Sequence, residues 1–156
     1  MWAFKSKLGN QGRQRGVAVV ECVIVLPVVL FIMLAVAEVA NAILTYNKLT
    51  QTVRDASRYI ATEAGAGSGI VQLTDEKIAR TVNLVIYGKI TAGGATVLPN
   101  LDPSKVAVTL ANDDDVSVAV TYDYLPLFAP AIPGIGGARM NGSGFQMNTE
   151  IIMRVL

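Results

Sequence analysis

The sequence predicts an α+β fold in which a long N-terminal helix crosses a membrane and a short helix packs on a small three-stranded antiparallel sheet. Three observations predict it. An apolar run extends from Val17 to Ala37, helical periodicity continues to about residue 63, and the C-terminal part alternates apolar and polar residues. Of the 156 residues 52% are hydrophobic, with a mean hydropathy of +0.46. The remaining length suits one small exterior domain, residues 70–156.

The run from Val17 to Ala37 has the length of a membrane-spanning helix. As a helix it extends about 31 Å, which matches a hydrocarbon core of about 30 Å. Pro27 lies within it and removes a backbone hydrogen bond, so we expect it to kink the helix or to melt it locally. Basic residues and no acidic ones precede the run, which predicts a cytoplasmic N-terminus and an extracytoplasmic domain: Lys5, Lys7, Arg13 and Arg15.

Glu21 is the anomaly of the apolar run, because a charge at membrane depth costs roughly 2.5 to 3.5 kcal/mol on insertion scales. Gly16 precedes it by one and a half helical turns, and a glycine lets a peptidase approach the backbone without a side-chain clash. Cleavage after Gly16 would remove residues 1–16 as a leader and create an amino terminus on Val17. In a filament that ammonium would neutralise Glu21 of a neighbouring subunit and fix the axial register. The alternative is a carboxylate that merely lies near the lipid headgroups.

These residues carry a family resemblance. Gly16-Val-Ala-Val-Val-Glu21 resembles the processing motif of type IV prepilins, although Cys22 stands where such proteins often have an aromatic residue. Residues 15–62 resemble the TadE-like family of tight-adherence pseudopilins through the Val25-Leu26-Pro27 step, Glu38 and residues 54–59.

The resemblance implies a minor, pilin-like structural subunit of an envelope-spanning machine that assembles adhesive type IV pili or secretes. It implies two kinds of protein partner: a prepilin peptidase, and other pilin and pseudopilin subunits that are contacted through the N-terminal helix. It also implies residence in the inner membrane, and an adhesive pilus as a further location.

Two other fates of the N-terminus stay open. The residues Leu34-Ala35-Val36-Ala37 before Glu38 have the small-residue spacing of a signal-peptidase site, and cleavage there would release a soluble secreted protein. A plain signal anchor would keep residues 1–16 and display an extracytoplasmic binding module. Acylation of Cys22 is disfavoured because Glu21, and not a small residue, precedes it.

Beyond the membrane, residues 38–63 carry an amphipathic stripe with mostly three- and four-residue steps: Ala42, Ile43, Tyr46, Leu49, Val53, Ala56 and Ile60. Glycines after Ala64 end this helix. Thr74 followed by two acids predicts the start of a second helix that stops near Gly88.

Alternating residues predict three strands in the exterior domain. Two of them, around Val106 to Leu110 and Val116 to Tyr122, flank a hairpin turn at 112–115, and the third contains Ile151, Met153 and Val155. Between Leu125 and Phe145, three prolines and several glycines predict a long connection.

Composition excludes several classes of function. The chain has no histidine, which removes histidine-based nucleophilic triads and the commonest zinc ligand. The aspartates at 113–115 lack the pattern of an EF-hand, so we expect no metal, no cofactor and no enzymatic activity. Without residues 1–16 the formal charge is −3, which offers no basic surface for nucleic acid. The single cysteine, Cys22, permits no intrachain disulfide.

Overall fold

The predicted α+β class is confirmed by the computed structural model, which describes residues 11–65, 71–112, 114–127 and 145–155. Two helices precede the sheet, α1 (Gln11–Gly65) and α2 (Asp75–Tyr87). A short 3-10 turn at Pro103–Lys105 leads into three strands: β1 (Val106–Asn112), β2 (Asp115–Tyr124) and β3 (Phe145–Arg154).

Helix α1 is longer than the roughly 45 residues that the sequence pattern suggests. It has 55 residues and begins at Gln11, ahead of the apolar run. At 1.5 Å per residue its length is about 80 Å. Pro27 lies inside it and cannot donate to the Val23 carbonyl, yet the helix continues through this position without local melting. The predicted bend at Pro27 remains a prediction.

The part of α1 that follows the apolar run, its outer half, packs through the predicted stripe on the domain formed by α2 and the sheet. Leu49, Val53, Ala56 and Ile60 are fully buried, at intervals of four, three and four residues. They belong to a core that also includes Val85 and Ile86 of α2 and residues of β2: Val116, Val118, Val120, Tyr122 and Tyr124. On the other side of α1 Arg54 and Arg58 are exposed, as expected for a solvated face.

Helix α2 begins and ends where the sequence predicts. Thr74 is the N-cap residue, although its side chain makes no capping hydrogen bond, and Asp75 and Glu76 occupy the first turn. Gly88 ends the helix in the left-handed region, with φ of 67°, and its N–H donates to the Leu84 carbonyl. Lys77 Nζ donates to the Glu63 carbonyl at 2.7 Å, which ties α2 to the end of α1.

The sheet has the order β1-β2-β3 with both pairs antiparallel, so β2 is the central strand. Every second residue of β2, from Val116 to Tyr124, faces the helices and is buried. In the register, Tyr124 lies opposite Phe145 at one end and Asp115 lies opposite Arg154 at the other. Tyr124 therefore marks one end of the sheet, and the hairpin between β1 and β2 marks the opposite end.

Two predicted segments lie largely outside the described residues. The glycine-rich linker continues past Gly65 into residues 66–70, and the long connection is described only at 125–127. Asp113 of the predicted hairpin turn is also outside. Its neighbour Asp114 accepts from the N–H of Val155 at 2.8 Å and lies 3.5 Å from Arg154. Strand β3 begins at Phe145, well before the Ile151 to Val155 pattern that predicted it.

Candidate processing and assembly site

Gly16 lies within α1, where the fold does not require a glycine. A Cβ built on it meets no heavy atom within 4 Å in the part of the chain that the structure describes. A helical glycine costs roughly 0.5–1 kcal/mol relative to alanine. The residue is therefore unfavourable for the helix and dispensable for packing, which is what a requirement imposed from outside the fold would produce.

The peptide bond between Gly16 and Val17 is near the beginning of α1, only five residues after Gln11. The first four N–H groups of a helix have no intrahelical partner, and terminal turns open at little cost in free energy. This end of α1 can therefore open without disturbing the part of the helix that packs on the domain. Cutting here would make Val17 the first residue of the helix and place an ammonium at its positive dipole end.

Glu21 is exposed on α1, one helical turn after Val17. Its closest neighbours along the helix are exposed apolar side chains, among them Val17, Val20 and Ile24. Within the residues whose side chains the structure describes, Glu21 has no hydrogen bond or ion pair. The structure thus places Gly16, Val17 and Glu21 on adjacent turns of a bare helix, with the Glu21 carboxylate exposed.

The part of α1 that surrounds Glu21 is able to cross a membrane. An 18-residue window has a mean hydropathy of 3.0, and none of it is buried within the protein. The first partly buried side chains are Leu34 and Ala35, near the end of the apolar run. The described side chains before them, from Gly16 to Met33, are all exposed, as they would be in a single-pass membrane segment.

A polar cluster connects α1 to the sheet immediately after the apolar run. Tyr124 Oη donates to Glu38 Oε1 at 2.5 Å and accepts from Asn41 Nδ2 at 2.9 Å. The same carboxylate oxygen accepts from the backbone N–H of Leu127 at 3.0 Å. Glu38 and Asn41 of α1 therefore hold the Tyr124 end of the sheet against the helix. Their position in the sequence did not reveal this role.

Burial controls the chemistry of Tyr124, which is only 5% exposed. Desolvation raises the pKa of Tyr124 to about 12, and the hydrogen bond donated to Glu38 raises it further than Asn41 lowers it. Sequence reasoning assigned Tyr124 no role. The available signal was a tyrosine at the end of an alternating strand, since a buried tyrosine hydroxyl usually finds a hydrogen-bond partner.

An apolar groove of about 490 Å³ lies beside this cluster, between α1 and the beginning of β3. Val39, Ile43 and Tyr46 line it from the helix, and Phe145 and Met147 line it from the strand. Ile43 and Tyr46 were predicted to belong to the packed stripe. They are instead 56% and 43% exposed, because the strand leaves the groove beside them open.

Comparison with known proteins links a segment in the first half of the chain to a family model. A family model described as TadE-like protein matches residues 16–58, which begin at Gly16 and include the polar residues Glu38 and Asn41. No curated protein and no solved structure matches the chain.

Proposed function

We propose, on the premise that residues 16–58 are a TadE-like segment, that this chain is a minor pilin-like subunit of a tight-adherence type IV pilus assembly or secretion machine. The family match confirms the resemblance seen in the sequence and supports a pilus-associated role. The observation that carries the proposal is the placement of Gly16 and Glu21 on a bare apolar helix, where neither residue serves the fold.

In this proposal α1 crosses the inner membrane once. The basic residues before Gly16 retain the N-terminus in the cytoplasm, and the domain formed by α2 and the sheet lies on the other side. The extended outer half of α1 then carries the domain away from the bilayer. This topology presents the bond after Gly16 at the cytoplasmic face, where a prepilin peptidase acts.

Cleavage supplies the charge that Glu21 lacks. An ammonium on Val17 of one subunit would pair with Glu21 of a neighbour as the bare helices pack together. Breaking a buried ion pair by removing one partner costs about 3–5 kcal/mol, so a correctly paired register would be favoured over a displaced one. Exposed apolar side chains alone would specify that register poorly, because they pack acceptably at several offsets.

The structure offers less support for release after Ala37. The Ala37–Glu38 bond lies in the middle of α1, and Glu38 is held by Tyr124 and Leu127. N-terminal sequencing of membrane-extracted protein separates the possibilities. Processing after Gly16 gives Val17 as the first residue, an unprocessed anchor keeps the leader, and a secreted form begins at Glu38.

The processing step is tested by Gly16→Leu, with Gly12→Leu as the control in the preceding turn of α1. Since a side chain at Gly16 meets no neighbour, Gly16→Leu should fold normally and accumulate in membranes with its leader. Gly12→Leu should still be cut. Normal cleavage of Gly16→Leu, seen as an unchanged mature band and an N-terminal Val17, would contradict the proposed processing.

The assembly step is tested by Glu21→Gln, with Glu76→Gln as a control in the exposed first turn of α2. Glu21→Gln should be processed and remain in the membrane but be missing from crosslinked complexes with pilin subunits. Glu76→Gln should behave as the unaltered protein. Normal crosslinking and normal pili with Glu21→Gln would remove the role assigned to this carboxylate.

A further inference from the structure

Exposed apolar side chains from three separate segments gather at the end of the domain where α1 enters it. Val39 and Ile43 belong to α1, Leu127 follows β2, and Phe145 begins β3. Leu127 and Phe145 are each 68% exposed. The Leu127 N–H bonds to Glu38, and Phe145 shares the groove with Val39 and Ile43, so these residues lie at about the same level along the helix. We call them the domain base.

The height of the domain base above the bilayer is fixed by its covalent connection to the apolar run. Glu38 directly follows Ala37, the last residue of that run, and Ile43 lies about 9 Å farther along the helix. The headgroup region adds only about 5–8 Å to each side of the hydrocarbon core. If α1 spans the membrane as proposed above, the domain base therefore lies at the level of the headgroups.

The two ends of the sheet differ in the side chains that they expose. The hairpin end carries the charged residues Asp114, Asp115 and Arg154. At the other end the charge of Glu38 is engaged by Tyr124 and Leu127, Asp123 lies 3.8 Å from Lys105, and the rings of Tyr46 and Phe145 are exposed. A single strand of ten residues connects the two ends, and Leu127 and Phe145 near Tyr124 are each 68% exposed, against 47% and 56% for Leu110 and Ile152 near the hairpin.

We infer that the domain base is a second membrane-contacting surface, seated in the outer headgroup and upper acyl region of the bilayer that α1 crosses. Lipid would fill the groove between α1 and β3. The occupant is lipid because the groove begins directly after the apolar run, at the height of the headgroups and upper acyl chains, and because Leu127 is exposed outside the groove. A second helix would cover only the side on which the groove opens.

The experiment uses single-cysteine variants of the full chain in phosphatidylcholine nanodiscs. Cys22, which is exposed on α1, is first replaced in a Cys22→Ser background. Leu127→Cys and Phe145→Cys then place an environment-sensitive dye on the domain base. The controls are Leu110→Cys and Ile152→Cys, which are also exposed but lie near the hairpin end. Along β2 this end is about 23 Å from Tyr124.

Dyes at Leu127 and Phe145 should be quenched several-fold more by lipids with a shallow nitroxide than dyes at Leu110 and Ile152. This pattern should be the same in nanodiscs that hold one chain. If the two groups are equally accessible to aqueous iodide, the inference is wrong. It is also wrong if shielding of the domain base appears only when a nanodisc holds several chains, since a second copy would then fill the groove.

A dye on the natural Cys22 separates failure of this inference from failure of the proposed function. Quenching of that dye by deep nitroxides shows that α1 is in the bilayer, so water-exposed dyes at the domain base would overturn only the inference. An unquenched dye on Cys22 would overturn the membrane span and the inference together. Near-ultraviolet circular dichroism of each variant checks that the domain is folded.

Discussion

The hydroxyl of Tyr124 donates a 2.5 Å hydrogen bond to the carboxylate of Glu38. These residues are 86 positions apart, and the bond connects the last residue of the central strand to the first charged residue after the apolar run. The packed core of the domain is centred farther along α1, from Leu49 onward. The cluster therefore extends the attachment of the domain along α1 toward the apolar run.

Removing this hydrogen bond should weaken the domain measurably. A hydrogen bond to a charged group contributes about 1.5–3 kcal/mol, so Tyr124→Phe should lower the free energy of unfolding by that amount. Urea unfolding of the full chain in detergent micelles measures it. Tyr46→Phe is the control, because Tyr46 is on the same helix as Glu38 and its side chain is 43% exposed. Equal stability of the two variants would show that the hydrogen bond contributes nothing.

The same phenol makes stability depend on pH in the alkaline range. The pKa of Tyr124 is raised from 10.0 to about 12 in the folded protein, chiefly by burial. A group whose folded pKa lies above its unfolded pKa adds stability below the unfolded value and loses it as the pH rises through the folded value. The contribution of Tyr124 should therefore be complete below pH 10 and disappear toward pH 12.

Absorbance titration checks this shift by following the phenolate. The difference between the unaltered protein and Tyr124→Phe should show one phenol ionising near pH 12. Taking the difference is necessary because burial also raises the pKa of Tyr122. A difference curve centred near pH 10 would mean that Tyr124 is not sequestered by the domain and Glu38.

The spacing of apolar residues predicted the helices and strands because it shows which face of each element is buried. The stripe through Leu49, Val53 and Ile60 and the alternation through β2 both appear in the structure as buried faces. The end of α2 at Gly88 was predictable for a similar reason, since a left-handed cap favours glycine.

The polar cluster was not predictable from the same patterns, because it depends on where distant segments meet. Nothing near Glu38 in the chain indicates a partner 86 residues away. The exposure of Ile43 and Tyr46 was not predictable for the same reason. They continue the apolar stripe of α1, but the groove beside the beginning of β3 leaves them open. The roles of Gly16 and Glu21 stay predictions, and they could be proposed without tertiary information because both residues are unusual in their local surroundings.

A buried and an exposed leucine on α1 should respond differently to truncation. Leu49 is fully buried, whereas Leu44, five residues earlier, is 63% exposed. Leu49→Ala should cost about 2–5 kcal/mol of stability through lost burial and the cavity left behind. Leu44→Ala should change it by less than about 0.5 kcal/mol, as surface substitutions usually do. Thermal unfolding followed by circular dichroism distinguishes them, and equal losses would contradict the packing of the outer half of α1.

Gly88 should tolerate asparagine better than alanine. Its φ of 67° lies in the left-handed region, which costs most side chains about 1–2 kcal/mol but is visited more readily by asparagine. An added Cβ would also lie 3.3 Å from Val97 Cγ2, and both substitutions share that contact. The difference in unfolding free energy between Gly88→Ala and Gly88→Asn therefore isolates the backbone conformation from the crowding. We expect Gly88→Ala to be the less stable by about 0.5–1 kcal/mol, whereas equal losses would mean that the Val97 contact, and not the left-handed cap, explains the glycine.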